Sequence, residues 1–293
     1  MWSQFVQTSD ELYNSRALRF REDNRDLWFD AMKLADGMDI LEVGCGGGIL
    51  CHRIKAFLPN AKVTGLDRDT GHIEYAMEKS AELDVDCDFV AGDALGMPFA
   101  DNTFDACTSH TVIEHVETAG FLGEQYRVMK KGGVISVLSV RTGLNVNPEN
   151  RKPVGEEESA LLDKAWENER EFDRNNGIAA YEMKESDFPA ALEKAGFKKV
   201  SVNFIALMSY APDNDDISDG LALAQINANR NCTLESLGKA LRRNPDCLTA
   251  DEAERFKELT NRRYDDRIDK YLRGERLWDM ATSNVMAVTG YKA

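Results

Sequence analysis

Residues 40–48, with the sequence ILEVGCGGG, constrain the fold more than any other segment of the chain. An apolar run breaks there into four glycines within five positions, where a β-strand should end and the helix ILCHRIKAFL should begin. Glycine has no Cβ, tolerates positive φ angles, and leaves backbone N–H groups free to point at a ligand near a helix N-terminus. The segment therefore predicts a strand, a loop and a helix, with a loop that a nucleotide can approach closely.

An aspartate follows this loop at the spacing typical of nucleotide sites. Asp67 ends a second apolar run, VTGLD, 23 residues after Gly44, where its carboxylate can accept hydrogen bonds from both ribose hydroxyls. The main competing interpretation is a nicotinamide dinucleotide site, whose fingerprint needs a third glycine where this chain has Ile49. Gly44, Gly46 and Gly48 give the pattern G-x-G-x-G instead.

Two further segments strengthen a resemblance to one family. A third apolar run ends at Gly92 and Asp93, and residues 127–140, RVMKKGGVISVLSV, read as a helix, a basic-Gly-Gly turn and a strand. Together with the glycine loop, they resemble class I S-adenosylmethionine-dependent methyltransferases over roughly residues 38–142. The resemblance implies S-adenosyl-L-methionine as cofactor and an α/β Rossmann-like fold: a mostly parallel seven-stranded sheet with helices on both faces, an antiparallel last strand and, in this chain, helical insertions.

The resemblance also implies particular cofactor contacts. Asp93 would accept a hydrogen bond from the adenine amino group, and the Ala94 N–H would contact the ring. Glu42 occupies the position of an acid that braces the glycine turn and faces the methionine amino end, and its burial requires a cationic or N–H partner. Arg68 can stack its stem on the adenine, or it is simply an exposed arginine. The loop residues expected at the cofactor are Gly44, Cys45 and Gly46.

The first predicted helix offers two more cofactor candidates. Tyr13 and Arg16 are three residues apart and so share a helix face. In related enzymes an N-terminal helix closes over the cofactor, so these residues can cover the sulfonium and bind the methionine carboxylate. Arg19 and Arg21 are alternatives for the same role, and an ordinary amphipathic helix with its charges outside is the simpler interpretation.

The end of the fourth predicted strand supplies a candidate base. His110 should lie near the transferred methyl group, where its ring can accept a proton from a hydroxyl or amine acceptor or can merely shape the pocket. Glu114 and Tyr13 are the next candidates. His115 is predicted to be structural.

Charge and composition narrow the class of substrate. The chain has 36 basic and 51 acidic residues, a net charge of −15, which disfavours nucleic acid because such binding depends on neutralising phosphates. Absence of a long apolar run and of a signal-peptide pattern predicts a soluble cytoplasmic protein without membrane contact. The six cysteines lack paired spacing, which predicts reduced thiols, and the histidines lack ligand spacing, which predicts no metal site.

Changes of pattern along the chain suggest its organisation. Residues 144–180 and 212–276 interrupt the strand–helix alternation and predict helical insertions, which form either a substrate lid or a homodimer surface. The remaining parts are N-terminal helices at 1–36 and a cofactor-binding core formed by 37–143, 181–211 and 277–293.

Local signals predict several helix boundaries. Asp23 or Asn24 should cap the helix that precedes the first strand, and Gly37 should end it. Within 212–276 the pattern predicts a helix to Asn231, a second from Thr233, and a third that a Thr249–Glu252 capping box opens. Ser186 should cap a helix in the core, and residues 145–153 should form a polar loop.

These expectations converge on a methyltransferase that acts on a small-molecule acceptor by in-line displacement. The alternatives are a non-catalytic S-adenosylmethionine-binding module and a protein methyltransferase, which needs an open acceptor cleft.

Overall fold

The computed structural model describes residues 2–17, 19–145 and 155–293. The polar loop predicted for 145–153 lies, beyond its first residue, outside the described residues. Seven strands form one sheet: β1 (Asp39–Val43), β2 (Lys62–Asp67), β3 (Asp88–Ala91), β4 (Phe104–His110), β5 (Met129–Val140), β6 (Lys198–Tyr210) and β7 (Ala281–Tyr291).

The strand order is β3-β2-β1-β4-β5-β7-β6. Strands β1 to β5 pair in parallel, whereas β7 runs antiparallel to both of its neighbours, β5 and β6. The predicted fold class is confirmed. From β1 the chain runs outward through β2 to β3, and it then crosses back to β4 on the other side of β1. This reversal opens a crevice at the carboxyl ends of β1 and β4, where open α/β sheets bind ligands.

The helices within the described residues are α1 (Trp2–Phe5), α2 (Ser9–Ala17), α3 (Arg25–Met32), α4 (Ile49–Phe57), α5 (Thr70–Leu83), α6 (Thr118–Val128), α7 (Glu156–Ala165), α8 (Glu169–Asn175), α9 (Asp187–Lys194), α10 (Asp219–Arg243) and α11 (Ala250–Leu272).

Both faces of the central strands are buried. Ile40 and Ala106 belong to the core cluster on one face of the sheet, whereas Leu41 and Cys107 belong to the cluster on the other. A parallel strand covered on both faces needs apolar residues at successive positions, which is why β1 reads as a nearly continuous apolar run. This packing fixes the end of β1, and with it the start of the glycine loop.

The helix predictions had mixed outcomes. The capping box is confirmed: Thr249 Oγ1 accepts from the Glu252 N–H at 3.2 Å, and the Thr249 N–H donates to Glu252 Oε2 at 2.9 Å. The predicted break near Asn231 is wrong, because α10 is one helix of 25 residues. Weak helix formers in its middle each cost only about 0.5 kcal/mol, and buried side chains in both halves outweigh that cost.

Two residues predicted to cap helices occupy the N-cap positions without a capping hydrogen bond, and one predicted helix end is wrong. Asn24 precedes α3, but its side chain bonds the Arg21 N–H and the Arg19 carbonyl, which stabilise the turn before the helix instead. Gly37 lies beyond the helix end, since α3 already stops at Met32 with Lys33 in the left-handed conformation. Ser186 precedes α9 without a capping hydrogen bond from its side chain.

Candidate functional site

A cavity of about 330 Å³ opens at the carboxyl ends of the parallel strands. Its floor consists of the glycine loop and the residues that follow β2, β3 and β4, and residues of α1 and α2 lie over it. Ten of the eleven predicted cofactor residues line it: Arg16, Glu42, Gly44, Cys45, Gly46, Asp67, Arg68, Asp93, Ala94 and His110. The fold therefore brings together residues that are far apart in the sequence.

The glycine loop is tight and closely covered. Gly44 and Gly46 have φ angles of 75° and 52°, and a Cβ at Gly44 would lie 2.4 Å from Val112 Cγ2. The predicted free N–H groups are not observed at four positions: those of Gly44 and Cys45 donate to the Leu66 carbonyl, that of Gly48 donates to the Cys45 carbonyl, and that of Gly46 donates to Asp67 Oδ2 at 2.9 Å. The glycines therefore serve close approach and loop shape more than direct N–H donation.

Asp67 links the loop to the end of β2. Its Oδ2 accepts from the Gly46 N–H and its Oδ1 from the Asp69 N–H, both at 2.9 Å. A carboxylate has about four acceptor positions, so lone pairs remain on both oxygens. Asp67 can hold the loop and a ligand's hydroxyl groups at the same time.

Glu42 is buried, with 3% of its surface exposed. Its Oε2 accepts from the Cys51 thiol at 2.9 Å, and the backbone N–H of Cys51 also interacts with the carboxyl group, so the predicted N–H partner belongs to the same residue. Helix α4 begins just after the glycine loop and carries Cys51 onto the end of β1. Burial raises the pKa of the Glu42 carboxyl group to about 8, because the interactions with Cys51 only partly offset the loss of water.

Glu42→Gln should remove a pH dependence of folding stability. The raised pKa means that the folded protein binds an extra proton between about pH 4.5 and 8, so the free energy of unfolding falls as pH rises through that range. The slope is at most roughly 1.4 kcal/mol per pH unit. In thermal melts of ligand-free protein from pH 5 to 8, wild type should lose stability relative to Glu42→Gln. The same change at the exposed Glu74 serves as control, and parallel profiles for wild type and Glu42→Gln would contradict the assignment.

His110 is buried and lines the cavity. Its ring is edge-on to those of Phe20 and Trp28, with centroid separations of 5.1 Å and 5.9 Å. Its Nε2 is buried and has no hydrogen-bond partner among the described residues. Burial, together with the nearby charges of Arg16 and Arg19, lowers the pKa of His110 well below its ordinary value. The ring is therefore neutral and has a lone pair to offer.

Helix α2 places Arg16 but not Tyr13 at the cavity. Arg16 donates to Thr111 Oγ1 at 3.4 Å, and burial lowers its pKa to about 9, which leaves it cationic at neutral pH. The Tyr13 hydroxyl instead lies 3.3 Å from His52 Nδ1, and Tyr13 is outside the cavity lining, so its contact with the cofactor stays a prediction. Leu12, one turn before Arg16, shares its face and covers Gly46, whereas Tyr13 is turned about 100° away from Leu12.

The two alternative arginines do not line the cavity. Arg21 forms an ion pair with Asp23 at 2.7 Å. Arg19 contributes its backbone carbonyl, which accepts from the Trp28 indole N–H at 2.8 Å.

Glu114, a reserve candidate for the base, is not in the cavity lining either. Its Oε1 accepts a hydrogen bond from the Ser139 hydroxyl, and burial raises the pKa of its carboxyl group. His115 Nδ1 accepts from the Ala179 N–H at 2.9 Å, but the residue also lines the cavity, so its purely structural role stays a prediction.

The outer part of the cavity is more open. Asp93 and Arg68 are exposed at its rim, and Asp93 Oδ1 accepts from the Leu95 N–H at 2.9 Å. Sequence reasoning missed Trp2 and Tyr181, which also line the cavity. Neither residue belongs to a recognisable motif, so only the folded chain could identify them.

Several histidines have ordinary partners. His52 Nε2 lies 2.8 Å from the Ser80 hydroxyl, and His72 Nδ1 lies 2.8 Å from the Ser9 hydroxyl. Within the described ranges, no three His, Cys, Asp or Glu residues are placed to hold a metal ion. No helix in the described part of the chain has the length and apolar character needed to cross a membrane.

Part of the sequence is similar to known proteins. Residues 41–137 match a family described as "Methyltransferase domain". A sterol 24-C-methyltransferase of Gibberella zeae is 38% identical over 107 residues, which are 36% of this chain and 28% of that protein. A ubiquinone biosynthesis O-methyltransferase of Brucella anthropi is 33% identical over 122 residues, 41% of this chain and 48% of the relative. The chain thus matches less than half the length of these curated relatives.

Solved structures share the fold. A phosphoethanolamine N-methyltransferase of Haemonchus contortus, solved with phosphomonomethylethanolamine and S-adenosylhomocysteine, has a TM-score of 0.56 at 14% identity. The match covers 99% of this chain and 59% of that one. A Bacillus subtilis protein has a TM-score of 0.50 at 17% identity, and the match covers 93% and 99% of the two chains.

Proposed function

Because the chain carries a class I S-adenosylmethionine-dependent methyltransferase domain, we propose that it transfers a methyl group from S-adenosyl-L-methionine to a small organic acceptor. The observation that carries this proposal is the gathering of ten predicted cofactor residues around one cavity at the strand ends. Open α/β sheets bind their ligands in that crevice.

The side chains fit the parts of this cofactor. Asp67 has acceptor positions left for the ribose hydroxyls, and we assign the adenine ring to Asp93 and Ala94, which line the same cavity. Glu42 is a buried acid without a cationic partner, which suits an ammonium group, and Arg16 is a cation whose only described hydrogen bond goes to a hydroxyl. We assign the methionine amino and carboxylate groups to Glu42 and Arg16 respectively.

The cofactor supplies a methyl group on a cationic sulfur: the acceptor's lone pair forms the new bond to carbon while the carbon–sulfur bond breaks and leaves its electron pair on sulfur. Phe20 and Leu12 line the cavity with apolar side chains, and we expect them to keep water from the reacting atoms, which would strengthen electrostatic interactions there. Much of the rate can therefore come from orientation in a dry site, without a nucleophile from the protein.

His110 remains our candidate base for acceptors that must lose a proton. Its neutral ring can accept that proton, although its low pKa makes it a weak base. A His110→Gln variant that transfers methyl groups at the wild-type rate would leave the ring with a shaping role only.

We also propose the class of acceptor, the location and the oligomeric state. The matched curated proteins are named for sterol and ubiquinone-precursor methylation, which supports a small-molecule acceptor. The net charge of −15 supports action without nucleic acid. We place the enzyme in the cytoplasm, and a homodimer through the helical insertions remains the alternative to a lid.

Asp67→Ala should weaken S-adenosylhomocysteine binding by about 1.5–3 kcal/mol, the range for leaving partners of a charged group unmet. Titration calorimetry measures this change in affinity, with Asp88→Ala, at an exposed aspartate on β3, as the matched control.

Wild type should not bind nicotinamide dinucleotides. Tight dinucleotide binding without any response to S-adenosylhomocysteine would overturn the proposed function, whereas unchanged affinity in Asp67→Ala would move only the ribose contact.

A further inference from the structure

A second cavity, of about 460 Å³, adjoins the first one. It lies between α2, the α7–α8 connection and α10, and Gln7 and Arg16 line both cavities. Arg16 also bonds Thr111, the residue after His110. The two cavities therefore share a wall formed by Gln7 and Arg16, near Thr111, and the volume of the second cavity suits a small molecule.

Five charged side chains line this second cavity: two form ion pairs, and a third, Arg16, bonds the Thr111 hydroxyl. Glu11 forms an ion pair with Arg242 at 2.6 Å, and Glu169 lies 3.9 Å from the Arg243 guanidinium. Glu235 and Lys239, both on α10, have no ion-pair partner within 4.0 Å among the described residues.

These two residues could have paired with each other. Glutamate four positions before lysine on a helix is a favourable arrangement for an ion pair. Here Lys239 Nζ lies over the Trp166 ring, 5.4 Å from its centroid, and this contact draws the ammonium towards α7 and α8. Glu235 is influenced by the nearby negative charges of Glu11 and Asp10 and, in the opposite direction, by the positive charge of Arg242.

The surroundings of Glu235 and Lys239 disfavour the charged form of each side chain. Burial and the neighbouring acids raise the pKa of Glu235. Burial and the Arg243 charge lower the pKa of Lys239, although Glu169, Asp173 and Glu11 act in the opposite direction. A ligand that carries both signs of charge would compensate both groups at once, whereas a singly charged ligand would leave one of them uncompensated.

We propose that this second cavity binds the methyl acceptor, and that the acceptor is a small zwitterion whose cationic group contacts Glu235 and whose acidic group contacts Lys239. This inference rests on the proposed function. The nucleophilic atom would reach the first cavity between Gln7 and Arg16, where its lone pair forms the bond to the methyl carbon as the carbon–sulfur bond breaks. Any proton that it loses passes to His110 or to water.

The test measures binding to protein saturated with S-adenosylhomocysteine, so no turnover is required. The probes are ω-amino acids from glycine to 6-aminohexanoate, each compared with the carboxylate and the ammonium compound of equal length. At least one amino acid should bind about 10-fold or more tightly than both of its singly charged analogues. Glu235→Gln and Lys239→Gln should each abolish that preference, as expected for a lost contact to a charged group.

Glu254→Gln and Lys257→Gln are matched controls, because they make the same changes in an exposed ion pair on α11. Both should behave as wild type, and S-adenosylhomocysteine affinity should be unchanged in all four variants. Equal binding of zwitterions and singly charged analogues, absence of binding by every probe, or a preference that survives both α10 variants would overturn the zwitterion assignment. Failure of wild type to bind S-adenosylhomocysteine is a separate result that overturns the proposed function itself.

Discussion

Gly46→Val should reduce S-adenosylhomocysteine affinity by more than about 100-fold, which corresponds to roughly 2.7 kcal/mol. The Gly46 φ angle of 52° is strained for a β-branched residue, and a Cβ would lie 2.5 Å from Leu12 Cδ2. Either Leu12 or the loop must therefore shift, and the strained φ angle favours a loop shift that weakens the bond from the Gly46 N–H to Asp67. One substitution thus disturbs the glycine turn, the acid assigned to the ribose and the helix above them.

The control for this prediction is Gly123→Val on α6, where a Cβ would meet nothing within 4 Å. Titration calorimetry gives the affinities, and circular dichroism shows that each variant is folded. Wild-type affinity in a folded Gly46→Val protein would mean that the ligand does not approach this loop.

The sequence predicted the sheet and the cavity floor well, because both depend on local patterns. The run Ile40–Val43 ends where glycines begin, and Asp67 and Asp93 each end a later strand run, so parallel pairing brings them to one edge. The topology of such sheets is restricted to few choices, which makes position along the chain informative about position in space.

The sequence could not show how the cavity is covered. Tyr13 and Arg16 share a face of an isolated helix, but the rotation of α2 about its axis is set by Leu12 packing over Gly46. The thiol partner of Glu42 depends in the same way on where α4 crosses the end of β1. Such contacts arise from packing between elements, which residue spacing does not determine.

The sequence also could not show which cavity the 212–276 insertion contacts. As a direct cover of the first cavity the prediction does not hold, since none of these residues is in its lining. Helix α10 instead supplies Cys232, Glu235, Ser236 and Lys239 to the second cavity, with Trp166 and Glu169 from the 144–180 insertion. A role for both insertions in substrate choice therefore stays a prediction, now located at this second cavity.

Arg267→Met should destabilise the protein by about 3–5 kcal/mol, the cost of leaving buried charges without a partner. Arg267 is 6% exposed, and its Nη2 donates to Asp213 Oδ2 and to Asp279 Oδ1, each at 2.8 Å. It thereby joins α11 to the segment after β6 and to the residues before β7. Removing its charge leaves two buried carboxylates uncompensated.

Thermal melts should show a decrease in Tm on the order of 10 °C for Arg267→Met. Arg262→Met, an exposed position on the same helix, should change the Tm little. Adding Asp279→Asn to Arg267→Met should recover part of the loss, because it removes one uncompensated charge, whereas a generally damaged helix would not recover. Stability equal to that of Arg262→Met would show that the ion cluster does not hold the insertion.

Because α11 packs against α10, loosening α11 should weaken zwitterion binding in the second cavity more than S-adenosylhomocysteine binding in the first.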